Sequence, residues 1–173
     1  STNSDTEVIL QGFLLEGPDF VKKLNGIFAI AVWEEKERTL YLFRDRAGVK
    51  PLFYTSQKGA FVFASEIKGL FSYPGIKAVL DEEGLCEIFA LGPAKTYGKG
   101  VFRNIQEVLP GHMLVWKEGQ LKTSPYWQLE SHPHEDSFQE TVENTAWLIE
   151  DAVKLQMLSD IPISTFLSGG VDS

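Results

Sequence analysis

The chain has a single cysteine, Cys86, among 173 residues, so no disulfide can form within it. Free thiols persist in reducing compartments, and the cytoplasm is the expected location. Basic residues are also short: 16 Lys and Arg stand against 24 Asp and Glu, a net charge of -8. An acidic surface repels polyanions, which excludes nucleic acid and anionic membrane as main partners. No apolar run approaches the roughly 20 residues that span a bilayer, and the first residues lack the basic and apolar regions of a signal peptide. Three histidines occur, His112, His132 and His134. They fall in predicted loop or linker at spacings that fit no metal site, so solvated rings are expected. An initiator Met is absent as well. The chain opens Ser1-Thr2-Asn3 and stops inside a glycine loop, a pattern expected of an internal piece of a longer enzyme.

What is present is ample for a core, since 43 % of the residues are apolar. Residues 4–16 carry apolar side chains at helical spacing behind a Ser4/Glu7 capping box. A second short helix is predicted from Pro18 to Leu24, ended by Asn25-Gly26. Residues 27–33 are unbroken apolar and predict a buried strand, paired across a charged turn with residues 39–43. Residues 51–54 and 60–64 read as a second hairpin around Lys58-Gly59. Short helices are expected at 66–71 and 82–91, the second capped by Asp81 and holding Cys86 as a packing residue. After a loop at 92–100, strands are predicted at 102–109, 113–116 and 121–127, the last two joined by a Glu118-Gly119 turn. Residues 1–129 thus read as an α+β unit of antiparallel hairpins.

The composition then changes. Residues 130–136 are polar, include Pro133 and read as an interdomain linker. A long helix is predicted over 137–158, opened by a Ser137/Glu140 capping box, with Phe138, Val142, Leu148, Ile149, Ala152 and Leu155 in one stripe. Residues 161–167 read as a short buried strand running into Ser168-Gly169-Gly170-Val171-Asp172-Ser173. Helix, strand and glycines in that order open an α/β domain. Adjacent glycines let the chain turn sharply and let an anion reach the backbone amides. Amides at the head of a following helix form an anion nest. Ser168 and Ser173 can add hydroxyl donors, while Asp172 would repel bare phosphate and implies a bridging Mg²⁺ ion. A Walker A loop would end in Gly-Lys-Ser/Thr, and no lysine follows here.

The loop resembles the pyrophosphate loop of ATP pyrophosphatases, which cleave ATP between the α and β phosphates. Five further stretches precede it in order: Ser4-Asp5-Thr6-Glu7-Val8-Ile9-Leu10, Leu24-Asn25-Gly26-Ile27-Phe28-Ala29-Ile30-Ala31, Arg44-Asp45-Arg46-Ala47-Gly48-Val49-Lys50-Pro51-Leu52, Ala64-Ser65-Glu66-Ile67-Lys68 and Leu109-Pro110-Gly111-His112. With them the whole chain resembles the glutamine-hydrolysing asparagine synthetases. The resemblance implies that residues 1–129 are the C-terminal part of a class II glutamine amidotransferase domain, forming part of an αββα sandwich of the N-terminal-nucleophile type. The start of an ATP-pyrophosphatase synthetase domain would follow at 137–173.

It further implies that glutamine, aspartate and ATP are the substrates and Mg²⁺ the cofactor, with a homodimer as the expected assembly. Aspartate would be adenylated, and ammonia from glutamine would travel through a tunnel to displace AMP. By the same resemblance Asp5 binds the α-amino group of glutamine and Ile27 lines the tunnel. Phe166, Ser168, Gly169, Gly170, Asp172 and Ser173 would meet ATP or pyrophosphate, Asp172 also as a metal ligand. Arg44, Asp45, Arg46 and Lys50 are assigned a structural role, fixing the loop between hairpins through ion pairs. The family's nucleophile is an N-terminal cysteine; residue 1 here is Ser1, so the catalytic cysteine is expected upstream of this sequence. Two other readings share the pattern: a β-lactam-synthetase-like cyclase of the same plan, and a non-catalytic amidotransferase-like binding module. The intact glycine loop counts against the second.

Overall fold

A computed structural model describes residues 4–57, 59–92, 96–159, 161–164 and 168–170; the chain divides into two units, Ser1–Leu129 and Glu130–Ser173. In the first unit, helix α1 spans Asp5–Glu16 and stops at Gly17, whose φ of +67° a side chain would resist. A 3₁₀ segment, Gly17–Lys23, follows with Pro18 at its start.

The strands are β1 (Ala29–Glu34), β2 (Thr39–Arg44), β3 (Phe53–Gln57), β4 (Ala60–Ala64), β5 (Gln106–Glu107), β6 (His112–Lys117) and β7 (Gln120–Pro125). They pair antiparallel into a four-stranded sheet, β1-β2-β6-β7, and a three-stranded sheet, β4-β3-β5. The β6–β7 turn is the predicted Glu118-Gly119, with φ of 49° and 81°. A two-residue hairpin needs this left-handed pair to match the twist of its strands.

Alternation along β2 sorts the core. Phe43 joins Phe13, Phe20, Val21 and Ile30 between α1, the 3₁₀ segment and one face of the four-stranded sheet. Leu40 and Leu42 point the other way, to Leu52, Val108 and Leu114, where Tyr54 and Phe61 of the three-stranded sheet also pack. Phe53, Ile76 and Ile105 gather with Leu70 of helix α2 (Ile67–Phe71) behind the three-stranded sheet. Phe43, Leu42, Leu70 and Leu114 have no exposed surface. Truncating any of them to alanine would cost about 2–5 kcal/mol, in lost transfer energy and a cavity.

Several expectations are corrected. Ser4 holds the N-cap position, but its side chain makes no cap hydrogen bond, so the Ser4/Glu7 box is not formed. The run 27–33 is not buried throughout: its strand starts at Ala29 on a sheet edge, and Ile27 and Trp33 are each 46 % exposed. An edge strand with one covered face alternates, whatever its composition. The strand predicted at 102–109 shrinks to β5. Phe102 N–H donates to the Gly100 carbonyl at 2.7 Å, and Val101 and Asn104 take φ of 67° and 62°, so the chain turns there instead. His112 lies half-buried at the head of β6, its Nδ1 2.7 Å from the Pro110 carbonyl oxygen, not in a solvated loop.

Helix α3, Glu82–Leu91, is capped as predicted: Asp81 accepts the Gly84 N–H at 3.1 Å. Its inward residues are Gly84 and Glu87, not Cys86, which is exposed. The Val101 carbonyl occupies the place of a Cβ on Gly84, so the glycine must face in. Glu87 turns in beside it to accept the Thr96 N–H at 2.7 Å and the Thr96 hydroxyl at 2.5 Å. At 100° per residue, Cys86 and Phe89 then fall on the outer side.

In the second unit, α4 spans Phe138–Gln156 and the predicted capping box is made. Ser137 N–H donates to Glu140 at 2.9 Å, and Glu140 N–H returns to Ser137 Oγ at 3.3 Å. No α4 residue is buried, and the apolar side chains of its stripe are exposed. Of the strand predicted at 161–167, residues 161–164 are irregular and exposed, and residues 165–167 lie outside the described residues. A buried strand needs neighbours to pair its backbone, and none is supplied among the described residues of this unit.

Candidate functional site

At the end of β2 the chain enters a buried polar hub. Asp45 is 1 % exposed and its two carboxylate oxygens accept the Val49 and Lys50 N–H groups, each at 2.9 Å. Its own N–H donates to the Phe28 carbonyl at 3.0 Å, and its carbonyl accepts from Gly48 and Gly111 at 3.1 and 2.9 Å. Arg44 spreads its fork over three carbonyls: Lys50 at 2.9 Å, Gly48 at 2.8 Å and Val108 at 2.7 Å. It also pairs with Glu107 at 2.9 Å. Gly48 takes φ +69°, and a Cβ there would meet Pro110 Cγ at 2.6 Å, so the loop tolerates no side chain at this point.

Tyr126 completes the hub, donating its hydroxyl to the Arg44 carbonyl at 2.6 Å. Burial, reinforced by the Asp45 charge and eased by Arg46, pushes its phenol up to about 12. The structural role expected of Arg44 and Asp45 is therefore seen, with one correction. The ion pair runs to Glu107, and the loop is held through backbone groups rather than through pairs within the cluster. Arg46 joins the hub to the 3₁₀ segment through the Lys22 carbonyl at 3.0 Å.

Ile27 immediately precedes the residue whose carbonyl Asp45 holds, at the entry to β1. Asp5 stands exposed in the first turn of α1, and no hydrogen bond or ion pair to a described residue occupies its carboxylate. A carboxylate so placed is open to a cationic group. In the second unit Ser168, Gly169 and Gly170 are exposed, and Gly169 takes φ +79° with no atom of a described residue within 4 Å of where a Cβ would stand. Gly170 N–H points to Ser168 Oγ at 3.4 Å. Phe166, Asp172 and Ser173 lie outside the described residues.

A cleft of about 270 Å³ lies elsewhere in the first unit, between α3 and residues 98–106, and none of the predicted site residues lines it. Its charges answer one another: Asp81 with Arg103, and Glu83 with Lys99. Thr96, hydroxyl first and amide second, holds the Glu87 carboxyl below its ordinary range. Those groups are spent on holding α3 to its turn.

Sequence reasoning missed Glu107 and Tyr126. The signal for Glu107 was present, as an acid flanked by Ile105, Val108 and Leu109 in a predicted strand. A carboxylate in such company is buried only with a partner. Tyr126 carried no comparable mark.

The comparisons follow this division of the chain. Residues 1–127 match the family described as glutamine amidotransferase domain, and residues 144–173 match asparagine synthase. The chain is similar to asparagine synthetase (glutamine-hydrolyzing) 3 of Bacillus subtilis, 51 % identical over 98 % of the chain and 28 % of that protein. It is similar to a putative asparagine synthetase (glutamine-hydrolyzing) 2 of Methanocaldococcus jannaschii, 32 % identical over 99 % of the chain and 34 % of that protein. It is also similar to Amidase chyE of Penicillium rubens, 32 % identical over 98 % of the chain and 25 % of that protein. The chain spans about a quarter to a third of the length of these relatives. The chain belongs to the glutamine amidotransferase domain family, with a match to asparagine synthase after it.

Proposed function

We propose that the protein makes asparagine from aspartate, ATP and glutamine. The observation that carries this is the order of the two family matches, amidotransferase at 1–127 and asparagine synthase at 144–173, on one chain. Residues 1–129 form the C-terminal part of a class II amidotransferase domain, 130–136 a linker, and 137–173 the beginning of an ATP-pyrophosphatase domain. The sorting of the core into helix–sheet, sheet–sheet and sheet–helix clusters supports an αββα sandwich.

In this reading Asp5 binds the α-ammonium of glutamine, for which an exposed carboxylate in a helix's first turn is suited. Ammonia released from glutamine passes Ile27, whose apolar side chain offers nothing to protonate it. Ser168, Gly169 and Gly170 hold the pyrophosphate end of ATP through backbone amides and a hydroxyl, with Phe166 and Ser173 flanking. Among the described residues no atom fills the place of a Cβ on Gly169, which supports the approach of a phosphate to the backbone there. Mg²⁺ would be held by Asp172 and would neutralise phosphate charge. Adenylation turns the aspartate side-chain oxygen into part of a good leaving group, and exclusion of water keeps ammonia nucleophilic. Cys86 takes no part, standing exposed on α3. A cytoplasmic homodimer fits the same reading.

A second reading has one observation behind it: two fungal relatives, 32 % and 30 % identical, are named amidases. There the carboxylate that is activated or released would differ from aspartate. The test is pyrophosphate exchange into ATP by the full-length protein. Aspartate-dependent exchange, abolished by Asp172→Ala, is expected. Exchange without aspartate, or exchange that survives the substitution, refutes the proposal; exchange driven by another carboxylate favours the second reading.

A further inference from the structure

The hub around Asp45 ties together two stretches that arrive from different elements. Through its N–H it holds the Phe28 carbonyl at 3.0 Å, just after Ile27 and just before β1. Through its carboxylate it holds the amides of Val49 and Lys50, both at 2.9 Å. Arg44, the preceding residue, takes the carbonyls of Gly48 and Lys50 from the other side. All of these bonds end on backbone, so displacing Asp45 moves main chain and whatever side chains it carries. The frame is buried, with Arg44 6 % and Asp45 1 % exposed, whereas Ile27 is 46 % exposed. An accessible aliphatic side chain set on a buried polar frame suits a wall past which a small neutral molecule moves. The wall offers no hydrogen bond, and an apolar surface disfavours the charged ammonium form.

We infer that Asp45 is a positioning residue for ammonia transfer, fixing Ile27 relative to the loop at residues 48–50. The inference rests on the proposal that ammonia from glutamine passes Ile27. Asp45 touches neither substrate nor ammonia; it acts through the Phe28 carbonyl and the two loop amides. Asp45→Asn replaces one acceptor oxygen with an N–H₂ that faces a backbone donor, which releases the loop on one side. Arg44→Lys keeps the charge opposite Glu107 but gives up the fork over the carbonyls.

The experiment measures glutamate formed per asparagine formed in the full-length protein, at saturating glutamine, aspartate and Mg-ATP. Misplacement of a path wall is costly, so the ratio is expected to rise at least about twofold in Asp45→Asn and in Arg44→Lys, with free ammonia accounting for the excess. Asparagine synthesis from added ammonium should be unchanged. Leu70→Ala, which damages packing in a cluster outside the hub, should keep the unmodified ratio; a matching rise there would mean that any loss of stability uncouples the enzyme, and would overturn the inference. Ile27→Lys tests the reading beneath. If Ile27→Lys stays coupled, the assignment of ammonia passage at Ile27 fails. If Ile27→Lys leaks while Asp45→Asn and Arg44→Lys do not, that assignment stands and the role of Asp45 is refuted. Should Asp45→Asn not fold, Arg44→Lys decides.

Discussion

Arg44 Nη1 lies 2.9 Å from Glu107 Oε1, with the two side chains 7 % and 4 % exposed. The pair joins the end of β2 in one sheet to β5 in the other. Water that would screen an exposed pair is shut out here, and each charge relies on the other. Arg44 also donates to three carbonyls, so each of its three guanidinium nitrogens has an acceptor.

Breaking this pair from one side should therefore be severe. Glu107→Ala is expected to destabilise the chain by about 3–5 kcal/mol, because it strands a buried guanidinium. Replacing both partners by apolar residues, as in Arg44→Met with Glu107→Leu, should cost less than the sum of the single changes. Urea denaturation of the two singles and the double gives the coupling directly. Additive losses would show that the two charges do not depend on each other.

The alkaline limb of stability should carry the mark of Tyr126. Its phenol is pushed up to about 12 from 10.0, burial being the main cause. A folded-state value above the unfolded one stabilises fully below about pH 10, and that share is lost as pH rises through about 12. Tyr41 and Tyr54 are also raised by burial, so the comparison of the protein with Tyr126→Phe isolates one share. Melting temperature is expected to fall less steeply between about pH 10 and 12 in the variant. Parallel profiles would contradict the buried placement of the hydroxyl.

The two sheets were largely legible because short-range chemistry fixes hairpins. The glycine after Glu118, the charged turn before Thr39 and the alternation of β2 each determine a pairing with near neighbours. What escaped depends on residues far apart in sequence. The exposure of Ile27 follows from β1 lying at a sheet edge, and no local pattern states which strand is the edge. The outward turn of Cys86 follows from the Val101 carbonyl packing on Gly84, a contact 17 residues away in sequence that composition cannot show. The motifs of the candidate site were readable as types of residue, but the partners of Arg44 were not: Glu107 is 63 positions on and Tyr126 82.

Acid should loosen α3 from its turn. Thr96 lowers the Glu87 carboxyl, and the Gly84 amide with Arg103 lowers Asp81. A folded-state value below the ordinary one stabilises above the usual carboxylate range, and that stability is lost as pH falls through the lowered value. Glu87→Gln should give a flatter profile of melting temperature from about pH 5 down to about pH 3. Thr96→Val, which removes the hydroxyl on Glu87 Oε1, should move the profile the same way. A profile as steep as that of the unmodified protein in both variants would show that Glu87 does not link α3 to its turn.

Asp5 allows structure and function to be separated in one residue. Its structural share is that of an acid in the first turn of α1, worth about 0.3–1 kcal/mol against the helix dipole. Its proposed functional share is a charged hydrogen bond to the α-ammonium of glutamine, worth about 1.5–3 kcal/mol. Asp5→Asn keeps the size and one acceptor and removes the charge. The KM for glutamine should therefore rise roughly 10- to 100-fold, while the melting temperature shifts little. Asparagine formation with ammonium in place of glutamine should be unaffected, since that route does not use the glutamine site. Steady-state kinetics of the full-length protein with each nitrogen source decides between the two shares. A KM for glutamine that stays put, with stability down by the helix-dipole amount, would leave Asp5 as a helix residue and nothing more.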